Sequence, residues 1–190
     1  MHTTSNVGDS KPLNAVVALT GFMGSGKTST GRALAELLGW EFIDLDEEIE
    51  RRHQVSIREL FREHGEAGFR KIEHEVLLLC LTRCSGPIIL ALGGGAFVQP
   101  DNVKFLNASE VRTVFLETPV DDMLARCGVD DGPDLENARP LAADSRAFRK
   151  LYEQRLPFYR AAQLTIATSG KTFAEVASEI AKALQLEPIQ

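Results

Sequence analysis

A chain of 190 residues, 44% hydrophobic and 25% charged, is long enough to bury one sizeable core and is ordinary for a globular domain. Its 27 Asp and Glu outnumber 21 Lys and Arg, which argues against the broad basic face of a nucleic-acid binder but not against a small anion held by a few cations. No window approaches a membrane span, and three cysteines without a CxxC pair exclude a zinc ribbon and suit a reducing, cytoplasmic setting.

The opening "MHTTSNVGDSKPLN" is polar and has neither the apolar stretch of a secretion signal nor the arginines of a transit peptide. A disordered tail is expected over 1–13, ahead of a single domain at 14–190. "AVVALTGF" (15–22) predicts a buried strand running into glycines. "KTSTGRALAELLG" predicts a helix with Ala33, Leu34, Leu37 and Leu38 on one face and Gly39 as its stop. "WEFIDLD" reads as a second strand ending in acids. Ser56 and Glu59 form a capping-box start for "IRELFREHG", and "EAGFRKIEHEVLLLCL" continues as helix with Phe69, Ile72, Val76 and Leu79 inward. A strand at 88–92, a helix near 101–107 and the strand "VRTVFLE" follow. In "TPVDDMLARC", Thr118 is the expected cap and Pro119 the first helical residue. A helix near 144–162 leads to the strand "LTIAT". The last helix is capped by Thr172 with Glu175 and striped by Phe173, Val176, Ile180 and Leu184. Apolar strands alternating with helices imply an α/β fold, a five-stranded parallel sheet flanked by helices on both faces.

One segment breaks the alternation. "GVDDGPDLENARPLAAD" is polar, contains Gly and Pro, and lacks a helical stripe. Loops of that length in a compact domain are commonly functional, so a mobile lid at about 128–143 is expected, with a plain surface loop as the alternative.

"GFMGSGKT", Gly21 to Thr28, fits G-x-x-x-x-G-K-[ST] with a strand before and a helix after. Its glycines let backbone N–H groups curl around phosphate oxygens at a helix N-terminus. Lys27 brings a point charge to the β- and γ-phosphates, and the Thr28 hydroxyl can ligate Mg²⁺. The strand at 88–92 ends in glycine, so the nearest strand-end acids are Asp44 and Asp46. Asp44 could support the metal and Asp46 take a proton from an attacking hydroxyl. Equally, both could be acids favoured at the start of the helix that "DLDEEIE" enters.

Three further features suggest an acceptor site. "IILALGGGAF" ends a strand in Gly93, Gly94 and Gly95, bare backbone at the carboxyl end of a parallel strand, where ligands bind in such sheets. Arg70 follows inward Phe69 and shares a face with Glu73. Arg155 lies on the stripe of Phe148, Leu151, Tyr152 and Tyr159, next to a helix-kinking Pro157. Two guanidiniums in one cleft would clamp a carboxylate, although singly each reads as a surface or ion-paired Arg. The glycines would let the backbone touch that acceptor, and Arg139 would close from the lid as a positive clamp.

The stretches "GFMGSGKTSTGRALA", "FIDLDEEIE", "SIRELFREHGEAGFRKIE", "ALGGGAF", "RPL" and "RLPFY" stand in the order and spacing of the shikimate kinases. From about Ala15 to Leu184 the chain resembles that family. The resemblance implies a nucleoside-monophosphate-kinase-like P-loop fold. It also implies transfer of the γ-phosphoryl of ATP to the 3-hydroxyl of shikimate with Mg²⁺, a step of chorismate and aromatic amino acid biosynthesis. By the same resemblance Gly24, Ser25, Gly26, Lys27, Thr28 and Ser29 hold phosphates, and Thr28 and Asp44 serve the metal. Asp46 meets the acceptor hydroxyl as candidate base, with Lys27 and Arg139 completing the catalytic set. Arg70, Gly93, Gly94, Gly95 and Arg155 hold shikimate, the arginines on its carboxylate, and Glu73 steadies Arg70. Arg126 and Lys171 lie near adenine, and Arg139 also reaches ATP. The expected partner is a small molecule, with no nucleic acid or membrane, and the expected state is a monomer. The alternatives are a gluconate-like kinase of the same fold and a catalytically silent binding module. The silent module would predict loss of Lys27, Asp46 or an acceptor arginine, and all are present.

Overall fold

The computed structural model describes residues 15–128 and 144–189. The expected tail at 1–13, Arg139 and all of the expected lid except Gly128 lie outside the described residues. Five strands form one parallel sheet in the order β2-β3-β1-β4-β5. They are β1 (Val16–Thr20), β2 (Glu41–Asp44), β3 (Ile88–Ala91), β4 (Arg112–Glu117) and β5 (Leu164–Ala167). Central β1 sets Val17 beside Ile89 of β3 on one edge and Arg112 of β4 on the other. The strand order therefore reverses at β1, and its carboxyl end is where a parallel sheet opens a crevice.

Both faces of the sheet are buried, which is why its central strands are continuously apolar. Successive side chains point to opposite faces. Val16, Ala18, Leu90 and Phe115 join one core, with Phe22, Leu45, Leu60, Phe69, Phe148 and Tyr159. Val17, Leu19, Ile89, Val114 and Leu116 join the other, with Leu34, Leu38, Val176 and Ile180.

The helices are α1 (Lys27–Leu38), α2 (Leu45–His53), α3 (Ile57–Arg83), α4 (Pro100–Ala108), α5 (Val120–Cys127), α6 (Ser145–Tyr159) and α7 (Phe173–Ala183). A short 3₁₀ turn at Ala96–Val98 precedes α4. Both capping boxes form, Ser56 with Glu59 on α3 and Thr172 with Glu175 on α7. Several expectations need correction. The buried stripe of α1 is Leu34, Ala35 and Leu38, while Leu37 is 46% exposed, because the stripe facing the sheet is narrower than the run of apolar residues. In α3, Leu77 and Cys80 fill the core and Leu79 is only half-buried. That helix is interrupted at Gly65, whose φ of 64° and ψ of −178° belong to a region essentially limited to glycine. Thr118 does not cap α5, which begins at Val120. Its hydroxyl donates to the Ser25 carbonyl at 3.2 Å and shares a 2.8 Å bond with the Thr168 hydroxyl. Helix α6 starts from an Asp144 cap and ends at Tyr159, so Pro157 falls in its last turn. Phe173, expected in the stripe of α7, is 41% exposed.

Candidate active site

The loop after β1 wraps back on itself before entering α1. Gly24 and Gly26 take φ of 76° and 90°, conformations that side-chain-bearing residues rarely adopt. Lys27 Nζ lies across this loop and donates to the carbonyls of Gly21 and Phe22, each at 2.9 Å. The Thr28 hydroxyl donates to Asp44 Oδ2 at 2.7 Å. The other Asp44 oxygen caps α2, accepting from the backbone N–H of Asp46 at 3.0 Å and of Glu47 at 3.4 Å. Asp44 thus fits both of its sequence readings, a helix cap and the partner of the P-loop threonine. A hydroxyl and a carboxylate beside a phosphate loop suit Mg²⁺, which keeps waters and phosphate oxygens as its other ligands. Among the described residues no group of three or more His, Cys, Asp or Glu could hold a metal ion.

Starting α2 at Leu45 places Asp46 in its first turn, facing the glycines that follow β3. A Cβ on Gly93 would stand 2.5 Å from Asp46 Oδ1 and 3.2 Å from Glu73 Oε1. A Cβ on Gly95 would collide with the Arg70 guanidinium. Gly94 differs. A Cβ there would meet only Met23 N at 3.7 Å and Gly21 O at 3.9 Å, ordinary contacts facing the P-loop. Bare backbone at Gly93 and Gly95 therefore makes room for the protein's own charged side chains. This is a different reason from the close approach of a ligand that the sequence suggested.

Arg70 is held on every side but one. Its Nη1 donates to both Glu73 oxygens at 2.9 and 3.0 Å, Glu66 lies 3.5 Å from Nη2, and Phe69 and Phe61 rings stand 5.3 and 5.8 Å from its carbon. Its Nε is buried without a hydrogen-bond partner. The Glu73 side chain is 1% exposed. Burial pushes its carboxyl above the usual carboxylate value more than Arg70 lowers it, and the nearby Asp46 charge adds to the rise. Arg155, on α6, passes 5.9 Å from the Phe22 ring and its Nη1 donates to the Gly94 carbonyl at 3.3 Å. Asp46, Arg70, Glu73, Gly93–Gly95 and Arg155, drawn from α2, α3, the β3 loop and α6, converge beside the P-loop.

The nucleotide side is more open. Arg126, at the end of α5, donates to the Gly24 carbonyl at 3.1 Å and lies 5.7 Å from the Phe173 ring. A Cβ on Gly26 would stand 2.8 Å from Phe173 Cε1, so this ring borders the P-loop. Lys171, just before the Thr172 cap, instead pairs with Glu179 of α7. Phe173 was missed by sequence reasoning because its spacing to Val176 and Ile180 matches a core stripe, and only its place as the first residue after the Thr172 cap hinted otherwise. Tyr159 was likewise read only as part of an aromatic stripe, yet its hydroxyl donates to the Gly94 carbonyl.

A family model described as shikimate kinase matches residues 23–185. The chain belongs to the shikimate kinase family. A shikimate kinase of Moorella thermoacetica is 38% identical over 89% of this chain and 94% of its own length. One of Thermobifida fusca is 40% identical over 92% of this chain and 96% of its own. The fold superposes on the structure of Acinetobacter baumannii shikimate kinase in complex with shikimate with a TM-score of 0.80 and 38% identity, covering 90% and 93% of the two chains.

Proposed function

We infer that this protein transfers the terminal phosphoryl group of ATP to the 3-hydroxyl of shikimate, a step of chorismate and aromatic amino acid biosynthesis. The observation that carries this is the convergence of Arg70 and Arg155 on one glycine-walled site, with Asp46 beside them and the P-loop next to it. Two cations spaced around bare backbone suit a carboxylate.

The P-loop N–H groups and the Lys27 ammonium hold the β- and γ-phosphates, Lys27 leaving the carbonyls of Gly21 and Phe22 to do so. Bound Mg²⁺ would neutralise phosphate charge at Thr28 and Asp44. Arg70 and Arg155 fix the acceptor by its carboxylate, which directs its 3-hydroxyl toward the P-loop. Asp46 accepts the hydroxyl proton as the oxygen bonds to the γ-phosphorus and the bond to the β–γ bridging oxygen breaks, releasing ADP. Positioning supplies most of the acceleration. Arg126 and Phe173 line the base, with Lys171 at the rim. The protein works as a monomer on small molecules in the cytoplasm, away from nucleic acid and membranes. Its net charge of −6 disfavours a nucleic-acid partner.

The test is ADP release from Mg-ATP with shikimate, gluconate, a nucleoside monophosphate or no acceptor. Release that requires shikimate is the expected result. Release with gluconate alone would move the function to another hydroxy acid, and release no faster than the blank in every case would mark a silent relative.

A further inference from the structure

The Gly94 carbonyl receives two hydrogen bonds from one face of α6. Tyr159 and Arg155 are four residues apart, so their side chains reach the same point from successive turns. The tyrosine bond is short, at 2.5 Å, whereas the arginine bond, at 3.3 Å, is longer than the roughly 2.7–3.2 Å of a well-formed N–H···O contact. A carbonyl oxygen has two lone pairs and can accept both. The functional reading gives Arg155 a second task, to bind the acceptor's carboxylate, and that task draws its guanidinium away from the carbonyl.

We propose that Tyr159 is a positioning residue that holds the Gly94 carbonyl permanently and so frees Arg155 to leave it for the substrate carboxylate. The proposal rests on the assignment of Arg155 as a carboxylate ligand. Without the tyrosine hydroxyl, Arg155 would be the sole protein donor to a carbonyl that bound substrate covers. Departure would then strand a polar acceptor away from water, which is costlier than giving up one of two bonds. Tyr159 is built for a fixed role. It is fully buried, and its ring stacks on Phe115 of β4 with centroids 5.5 Å apart and planes 23° apart. Burial also pushes its hydroxyl up to about 12, more than nearby Arg155 lowers it, so it remains a donor throughout the working pH range. Arg155 is half-exposed and rests on Phe22, whose ring is braced edge-on by Phe148 and Tyr152 at 4.8 and 5.6 Å. The anchored donor and the releasable donor are thus distinct residues on one helix face.

Tyr159→Phe tests this, because it keeps the stacked ring and removes only the hydroxyl. Loss of one hydrogen bond predicts about a fivefold fall in kcat/KM for shikimate, with kcat/KM for ATP changed by less than about twofold. In an Arg155→Ala background the same substitution should cost less than about twofold, since there is no guanidinium left to free. An equal fall for both substrates, an undiminished fall in the Arg155→Ala background, or no fall at all would overturn the proposal. A wild type that turns over shikimate normally while its double-mutant cycle is additive would defeat the role of Tyr159 alone. A wild type with no shikimate-dependent turnover would defeat the functional reading, and this proposal with it.

Discussion

The acceptor end and the base end of the site are built in opposite ways. At the acceptor end Arg70 and Glu73 are packed and paired with each other, although the Arg70 Nε has no hydrogen-bond partner. Glu73 is 1% exposed, Arg70 is 15% exposed beside the stacked rings of Phe61 and Phe69, and the Gly94 carbonyl is tied twice to α6. At the base end Phe173 is 41% exposed, Arg126 reaches across the surface to Gly24, and Lys171 is occupied by Glu179. A rigid, partly desolvated charge constellation discriminates between small polar acceptors, because a wrong one leaves buried groups unpaired. An aromatic face and a guanidinium at the surface hold a planar base without demanding much geometry. On the proposed function, selectivity belongs to the acceptor end and the base end contributes mainly affinity.

Perturbing each end in turn tests that contrast. Asp46→Asn should have the largest effect. General-base loss typically costs roughly 10²–10⁴-fold in turnover, so kcat should fall within that range while the KM for ATP stays nearly constant, both read by coupled ADP release. Retained turnover would remove Asp46 from the role of base. Gly95→Ala should come next. The added methyl occupies the place of the Arg70 guanidinium, and loss of a charge-assisted contact predicts about a tenfold rise in the KM for shikimate with little change for ATP. A rise shared equally by ATP would mean that the acceptor and base ends are not independent. Phe173→Ala should show the reverse selectivity. Losing one base–aromatic contact predicts about a fivefold rise in the KM for ATP, and an unchanged value would place the base elsewhere.

The smallest effect is a pH dependence of stability at the acceptor end. Burial raises the Glu73 carboxyl from its ordinary 4.5. The folded chain therefore keeps this proton to higher pH than the unfolded chain. The associated stability is fully present below the unfolded value and is lost as pH rises through the folded one. Melting temperatures of Glu73→Gln, which lacks this titration, should gain on those of the wild type between about pH 4 and pH 7. Parallel curves would return the carboxyl to its ordinary range.

The strands and most helices were legible because their signals are local. Alternation placed Val17 and Leu19 on one face of the sheet and Ala18 on the other, and capping boxes marked the starts of α3 and α7 to the residue. Periodicity failed where it had to say what lies opposite a face. Leu37 and Phe173 fit their stripes and yet are exposed, since α1 and α7 turn only part of those stripes toward the sheet. Thr118 read as a cap because of the Pro that follows it, but its hydroxyl is taken by Ser25 and Thr168, distant residues that no local pattern contains. Arg70 and Arg155 stood out because a cation beside inward aromatic residues needs a reason to be there, and the structure brings both to the glycine loop.

By itself the sequence determined the phosphate loop. Its geometry is written within the eight residues from Gly21 to Thr28, in the left-handed glycines and the helix they open. It also determined which charged groups could serve an acidic acceptor. Only the tertiary structure decided how those groups meet. Gly93 and Gly95 are bare to make room for Asp46 and Arg70, and Gly94 is held by side chains 61 and 65 residues further along the chain. Local sequence sets backbone conformation and the face on which a side chain lies. Contact across such separations depends on how the whole sheet and its helices close around one another.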